Sequence, residues 1–124
     1  IFKGNIETIL TWCRTNIPIA PKRIVRLAPI FDKIQGKVTW HSLTRSLIDE
    51  FGNIEGFMDD LDSNFSSFIW TGSLVPLIES KISLVNELLD HKLSLVSEWA
   101  KFKLPHLLKD LKREQYEDRE RFLY

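Results

Sequence analysis

Apolar residues recur every three or four positions along most of the chain, which is the pattern of amphipathic helices. We predict an all-α fold of about six helices in three consecutive antiparallel hairpins, over about residues 5–34, 40–65 and 73–121. No strand is predicted, because the segment 37–40 is too short to seed a sheet. The hairpins are taken as one helical domain over residues 1–124, built either as a repeat solenoid or as a compact bundle.

Helix boundaries in the first half are predicted from prolines, glycines and capping residues. Pro29 predicts a kink or an early end of the second helix, because proline removes a backbone hydrogen bond. Gln35-Gly36-Lys37 is predicted to be a loop. Thr39 is the expected N-cap of a third helix that ends before Gly52, with Leu43, Leu47 and Phe51 spaced by four. Asn53 is the expected N-cap of a fourth helix, whose apolar stripe is Ile54, Phe57, Met58, Leu61 and Phe65. The buried stripe of the second helix is predicted to consist of Ile24, Leu27, Ala28 and Phe31.

The last third of the chain predicts two long helices joined by a short corner. Ser73 is the expected N-cap of the first, which runs to His91, and Ser94 is the expected N-cap of the second. Pro105 is expected to bend the second helix. Its apolar stripe ends at Leu111, and the charged residues that follow are typical of the polar cap that closes a stack of helices.

Charge is segregated along the chain although the net charge is zero. Residues 1–48 carry eight basic and two acidic residues, whereas residues 49–90 carry one basic and nine acidic residues. Such blocks either pair with each other inside the fold or present two different faces to partners. We expect intramolecular pairing to account for most of them.

The single cysteine and the first residue bear on the cellular compartment and on the processing of the chain. Cys13 is the only cysteine, so no internal disulfide can form, and a reducing, cytoplasmic location is expected. The chain begins at Ile1 rather than methionine, which we interpret as a processed or truncated start.

No residue pattern points to a catalytic, metal or cofactor site. The three histidines are not arranged as metal ligands, and a cationic His91 at the end of a helix would be favourable in its own right. The run that begins at Asp60 resembles the start of an EF-hand loop, but Phe65 replaces the required glycine and Thr71 replaces the final glutamate. We therefore predict no catalytic residues, no metal, no cofactor and no small-molecule ligand.

The basic first half carries the best functional signal. Lys22, Arg23 and Arg26 fall on one helical face. A basic face with aromatic residues nearby can hold a nucleic-acid backbone, and the same residues could contact a protein. The candidate contact residues are Arg14, Lys22, Arg23, Arg26, Lys33, Lys37 and Arg45, and the candidate aromatic anchors are Trp12, Trp40 and Trp70.

Several motifs resemble the C-terminal region of bacterial HEAT-like α-solenoid proteins. They are Trp70-Thr71-Gly72-Ser73 before a long helix, Leu88-Leu89-Asp90-His91, Trp99-Ala100 and a closing charged run, with Trp12-Cys13-Arg14 and Ile30-Phe31 upstream. Leu93 stands where that family has proline or asparagine at the corner. The resemblance implies a structural segment without catalytic residues. The expected function is that of a non-catalytic scaffold or protein–protein interaction domain. Its partner is expected to be another protein or a second copy of the chain, and no membrane binding is expected. The alternative function is nucleic-acid binding.

Overall fold

A computed structural model describes residues 6–67 and 74–122, and the chain forms two compact units, 1–68 and 69–124. The described part is mostly helical, with six helices and one two-stranded sheet. The first unit contains α1 (Ile6–Thr15), α2 (Ile19–Leu27), β1 (Phe31–Ile34), β2 (Lys37–Trp40), α3 (Ser42–Phe51) and α4 (Phe57–Ser66). The second unit contains α5 (Val75–Asn86) and α6 (Ser94–Phe122).

The β-hairpin in the first unit corrects the prediction that the chain has no strand. Strands β1 and β2 are antiparallel, with Phe31 opposite Trp40 and Ile34 opposite Lys37. The two residues between them, Gln35 and Gly36, have φ angles of 52° and 80°. A two-residue turn with both φ angles positive matches the twist of the paired strands, and glycine adopts that conformation without strain. The short segment 37–40 is therefore stabilised as a strand by its partner.

Helix α2 ends early, as the proline predicted, but a different face of it is buried. It stops at Leu27, and the extended Ala28 precedes Pro29, which disfavours helical geometry in the residue before it. The buried residues of α2 are Ala20, Pro21 and Val25. The predicted stripe was wrong at Leu27, whose surface is 76% exposed. Because the chain becomes a strand by Phe31, helical spacing no longer applies there.

Helix α3 begins two residues later than predicted and has a different cap. Thr39 lies in β2, and the cap is His41, whose Nδ1 accepts a hydrogen bond from the Leu43 amide at 3.2 Å. The predicted apolar spacing of α3 is confirmed, since Leu43, Leu47 and Phe51 are all buried.

Helix α4 begins at Phe57, so the predicted cap Asn53 lies outside it. The residue before the helix is Gly56, in the left-handed region with φ 83°. A Cβ atom at this position would lie 3.0 Å from Nζ of Lys22, so glycine also leaves room for the lysine side chain. Helix α4 packs against α2. The predicted stripe is confirmed at Phe57, Met58, Leu61 and Phe65, which are buried, whereas Ile54 precedes the helix.

Two polar side chains fasten the segment after α2 to its neighbours. The Asn64 amide donates to the carbonyls of Val25 at 2.9 Å and Ala28 at 2.7 Å, which lie at the end of α2. The hydroxyl of the fully buried Thr44 donates to the Pro29 carbonyl at 2.5 Å. The Asn64 amide thus satisfies carbonyl groups at the end of α2, and the Thr44 hydroxyl satisfies a carbonyl of the segment that follows the helix.

In the second unit, α5 packs against α6. Helix α5 ends at Asn86, five residues before the predicted end, and its predicted cap Ser73 lies outside the described residues. Nδ1 of His91 accepts a hydrogen bond from the Leu93 amide at 3.0 Å, in the connection between α5 and α6. Helix α6 closely matches its predicted length and contains Pro105. No helix within residues 6–67 or 74–122 has the length and apolarity needed to cross a membrane.

Candidate functional site

A cavity of about 410 Å³ lies where α1 meets α2, and we call it the corner cavity. It is lined by Trp12, Thr15, Asn16, Ile17, Ile19, Ala20 and Arg23. Three of its apolar side chains are largely in solvent, with exposed fractions of 50% for Trp12, 54% for Ile17 and 60% for Ile19. Ala20 is buried. The cavity therefore presents apolar walls to solvent beside one guanidinium group.

Hydrogen bonds at the end of α1 fix the rim of the corner cavity. The Thr15 hydroxyl and the Asn16 amide both donate to the Trp12 carbonyl, at 2.9 and 2.8 Å. The Asn16 carbonyl accepts from the Ala20 amide at 2.9 Å, which ties the corner to the first turn of α2. Both ends of the connection are thus held, and the Ile17–Pro18 peptide bond within it is cis.

A second, smaller cavity of about 250 Å³ adjoins the first, and we call it the basic cavity. Its lining residues are Pro18, Ile19, Lys22, Arg23, Arg26 and Asp60, and it shares Ile19 and Arg23 with the corner cavity. Asp60 pairs with Arg26 at 2.9 Å. Within the described part of the chain, Lys22 and Arg23 form no ion pair. These two cations therefore remain available to an incoming anionic group.

The other predicted contact residues are spread over the first unit. Arg14 on α1 forms a double hydrogen bond with Glu50 on α3, at 2.5 and 2.7 Å. Arg45 pairs with Asp49 one turn along α3 at 3.0 Å. Lys33 and Lys37 lie exposed on the β-hairpin and line neither cavity. The expected pairing between the basic and acidic blocks is therefore present for Arg14, Arg26 and Arg45.

The Arg14–Glu50 pair also sets the ionisation of its surroundings. The hydrogen bond from Arg14 lowers the pKa of Glu50, although partial burial opposes the shift. The same bond raises the pKa of Arg14. Burial raises the pKa of the Cys13 thiol, and the nearby Glu50 carboxylate raises it further. Cys13 is fully buried, and its raised pKa disfavours the reactive thiolate.

The predicted aromatic anchors occupy different environments. Trp12 is half exposed at the corner cavity, whereas Trp40 is 6% exposed and its ring centroid lies 6.0 Å from that of Phe65. Trp70 lies outside the described residues. Trp12 is therefore the predicted anchor that the structure places beside Arg23 in a cavity.

Sequence reasoning missed the part that Ile17 and Ile19 play. The segment 15–18 reads as a break between helices, and in that context the two isoleucines carry no helical stripe. Their signal was the presence of two large apolar residues on either side of a proline, in a connection too short to form a core. Their exposed fractions show that the connection does not bury them.

Besides its cations, the lining of the two cavities holds few polar side chains. The lining residues of the two cavities contain one carboxylate, Asp60, which is already paired, and one hydroxyl, Thr15, which donates to a backbone carbonyl. Across the described ranges, no group of three or more histidine, cysteine, aspartate or glutamate side chains is placed to hold a metal ion. What the cavities offer is apolar surface, an indole ring and two cations that form no ion pair within residues 6–67 and 74–122.

No protein-family model, curated protein or solved structure matches this chain. The resemblance to HEAT-like proteins therefore stays a prediction.

Proposed function

We propose that the chain is a non-catalytic helical scaffold that binds a protein partner, a second copy of itself included, through the corner cavity. The observation that carries the proposal is the exposure of Trp12, Ile17 and Ile19 around one preformed cavity beside Arg23. Contiguous exposed apolar residues are typical of interaction sites, and tryptophan and arginine are the residues most enriched at the energetic centres of protein interfaces. A HEAT-like construction is part of the proposal and rests on the sequence motifs.

Nucleic-acid binding is the second candidate, and the cations on α2 and on the β-hairpin favour it. Lys33 and Lys37 on the hairpin add to Lys22 and Arg23. Binding to a phosphate backbone is the sum of many cation contacts, and each contact makes the affinity more dependent on salt. Because Arg14, Arg26 and Arg45 are held by carboxylates of the same chain, fewer cations are available for such a backbone than the sequence suggests.

A titration with nucleic acid separates the two candidates. Fluorescently labelled single- and double-stranded DNA and RNA are titrated with the full chain at low salt and at 0.15 M salt, and binding is followed by anisotropy. The scaffold proposal predicts no dissociation constant tighter than about 10 μM at 0.15 M salt. Tighter binding that disappears when Lys22, Arg23 and Arg26 are all changed to glutamate would establish the alternative instead.

A photo-crosslinking experiment tests the protein-binding function directly. A photoreactive phenylalanine analogue is placed at position 12, which is exposed, or at position 40, which is buried and serves as the matched control. Irradiation in cells should give a discrete protein adduct from position 12 and none from position 40. The partner protein in the adduct is then identified and purified on its own, and its binding to the unmodified chain is measured. Adducts with nucleic acid alone, or equal yields from both positions, contradict the proposal.

A further inference from the structure

The charges at the corner identify the class of partner, on the assumption that the proposed protein-binding function is correct. We propose that the partner presents an acidic peptide segment. A carboxylate of the segment pairs with Arg23 and Lys22, and a large apolar side chain beside that carboxylate enters the corner cavity against Trp12 and Ile19.

The first argument is charge complementarity. Arg23 lines both cavities, is exposed, and makes no hydrogen bond or ion pair with the described residues. Lys22 also forms no ion pair with the residues that the structure describes, and its side chain lies over Gly56. The carboxylate that lines the basic cavity, Asp60, is paired with Arg26 at 2.9 Å. The basic cavity therefore has two cations that a partner's carboxylates can neutralise. The planar guanidinium of arginine can form two hydrogen bonds to one carboxylate.

The second argument is the shape and lining of the corner cavity. Its volume of about 410 Å³ lies near the lower end of the range for binding pockets, which suits one or two side chains rather than a large ligand. Its exposed walls are an indole ring and two branched aliphatic side chains. A leucine, phenylalanine or tryptophan of the partner would remove these walls from water, and Arg23 at the edge would fix the position of the carboxylate next to it.

The third argument is that the corner is already ordered. Thr15 and Asn16 hold the Trp12 carbonyl, and the Ala20 amide bonds to Asn16. The double hydrogen bond between Arg14 and Glu50 ties the same helix to α3. A surface that is fixed before binding loses less conformational freedom when a partner binds, so a short peptide can reach measurable affinity.

An acidic peptide fits the corner better than a nucleic acid does. A single strand needs a track of cations that follows its backbone, together with aromatic rings on which successive bases stack. Among the described residues, the corner has one exposed ring, flanked by aliphatic residues, and two cations without an ion pair. A carboxylate next to one apolar side chain uses all of these groups.

Selection from a random peptide library displayed on phage tests the inference with the full chain as bait. We expect the selected peptides to be acidic and to contain a large apolar residue next to an acidic one. Trp12→Ala and Arg23→Glu should each weaken binding at least tenfold. Leu27→Ala is the matched control and should change binding less than twofold, because Leu27 is exposed on α2, as Arg23 is, but lines neither cavity. Arg23→Glu should also restore affinity to a peptide in which lysines replace the acidic residues. Circular dichroism of each variant confirms that the fold is intact.

The outcomes separate the inference from the function on which it rests. Neutral or basic peptides that lose binding with Trp12→Ala would overturn the acidic partner and leave the docking site standing. Acidic peptides that are insensitive to Trp12→Ala and Arg23→Glu would overturn the inference, since they bind elsewhere. Failure to select any peptide would overturn both. A bait preparation that captures phage only through contaminating nucleic acid, as shown by loss after nuclease treatment, would count against the inference as well.

Discussion

Replacing Trp12 with alanine should cost much less folding stability than the same change at Trp40. Trp40 is 6% exposed and packs on Phe65, so Trp40→Ala should cost about 3–5 kcal/mol, the usual range for truncating a buried large aromatic side chain. Trp12 is 50% exposed, so Trp12→Ala should cost about half as much folding free energy, about 1.5–2.5 kcal/mol. The expected difference of about 2 kcal/mol follows from burial alone.

Hydrogen–deuterium exchange of the full-length variants is the appropriate assay, because the chain has two compact units. Peptides from α3 and α4 report the opening free energy of the first unit alone. If Trp12→Ala lowered that free energy as much as Trp40→Ala does, Trp12 would be a core residue. The argument that its exposed face serves a partner would then be refuted.

Three further predictions follow from contacts in the first unit. Asn64→Ala should destabilise it by about 1–3 kcal/mol, because two partly buried carbonyls at the end of α2 lose their donor. Asn64→Asp should be no better in the same exchange assay, since it keeps the size but not the donor. The Glu50 pKa is lowered in the fold, so its pairing with Arg14 stabilises the protein above the unfolded pKa of about 4.3 and is lost as the pH falls further. The stability difference between the wild type and Glu50→Gln should accordingly shrink in denaturation curves recorded at decreasing pH, and a difference that grew would contradict this pairing. Cys13 should react with a thiol reagent at pH 8 at least about 100-fold more slowly than in the urea-unfolded chain, because its thiol is buried and its pKa is raised. Comparable rates in the two states would show that the face of α1 that carries Cys13 is not buried.

Local signals in the sequence predicted several boundaries correctly. Pro29 marked the end of α2 because it constrains the residue before it, and the apolar spacing of α3 and α4 identified buried faces that depend only on helical geometry. The extent of α6 followed from a long stripe that passes into alternating charge.

The β-hairpin was missed although a signal for it exists. Each strand has only four residues, and neither one alternates clearly enough to be identified by itself. The turn at Gln35 and Gly36 was recognised as a loop, but a glycine in a two-residue connection between short apolar segments is also a hairpin signal. Treating the two strands as a pair would have found them.

Other features depend on contacts between residues that are distant in sequence. Asn64 bonds to carbonyls 36 and 39 residues earlier, and nothing near it in the chain indicates that partner. The position of Lys22 over Gly56 is likewise set by the packing of the fold and not by neighbouring residues in the sequence. At the candidate site, the sequence identified Trp12 and Arg23 as contact residues, but their convergence on one cavity with two exposed isoleucines is set by the corner between α1 and α2.

The central claim is that the corner cavity binds a protein segment, and the most direct measurement is the affinity of one purified partner for three forms of the chain. That partner is the protein crosslinked from position 12, and its dissociation constant is measured with the wild type, Trp12→Ala and Leu27→Ala. We predict a loss of at least tenfold for Trp12→Ala and less than twofold for Leu27→Ala, which is the more exposed of the two side chains. Equal effects of the two substitutions, or no effect of either, would contradict the claim.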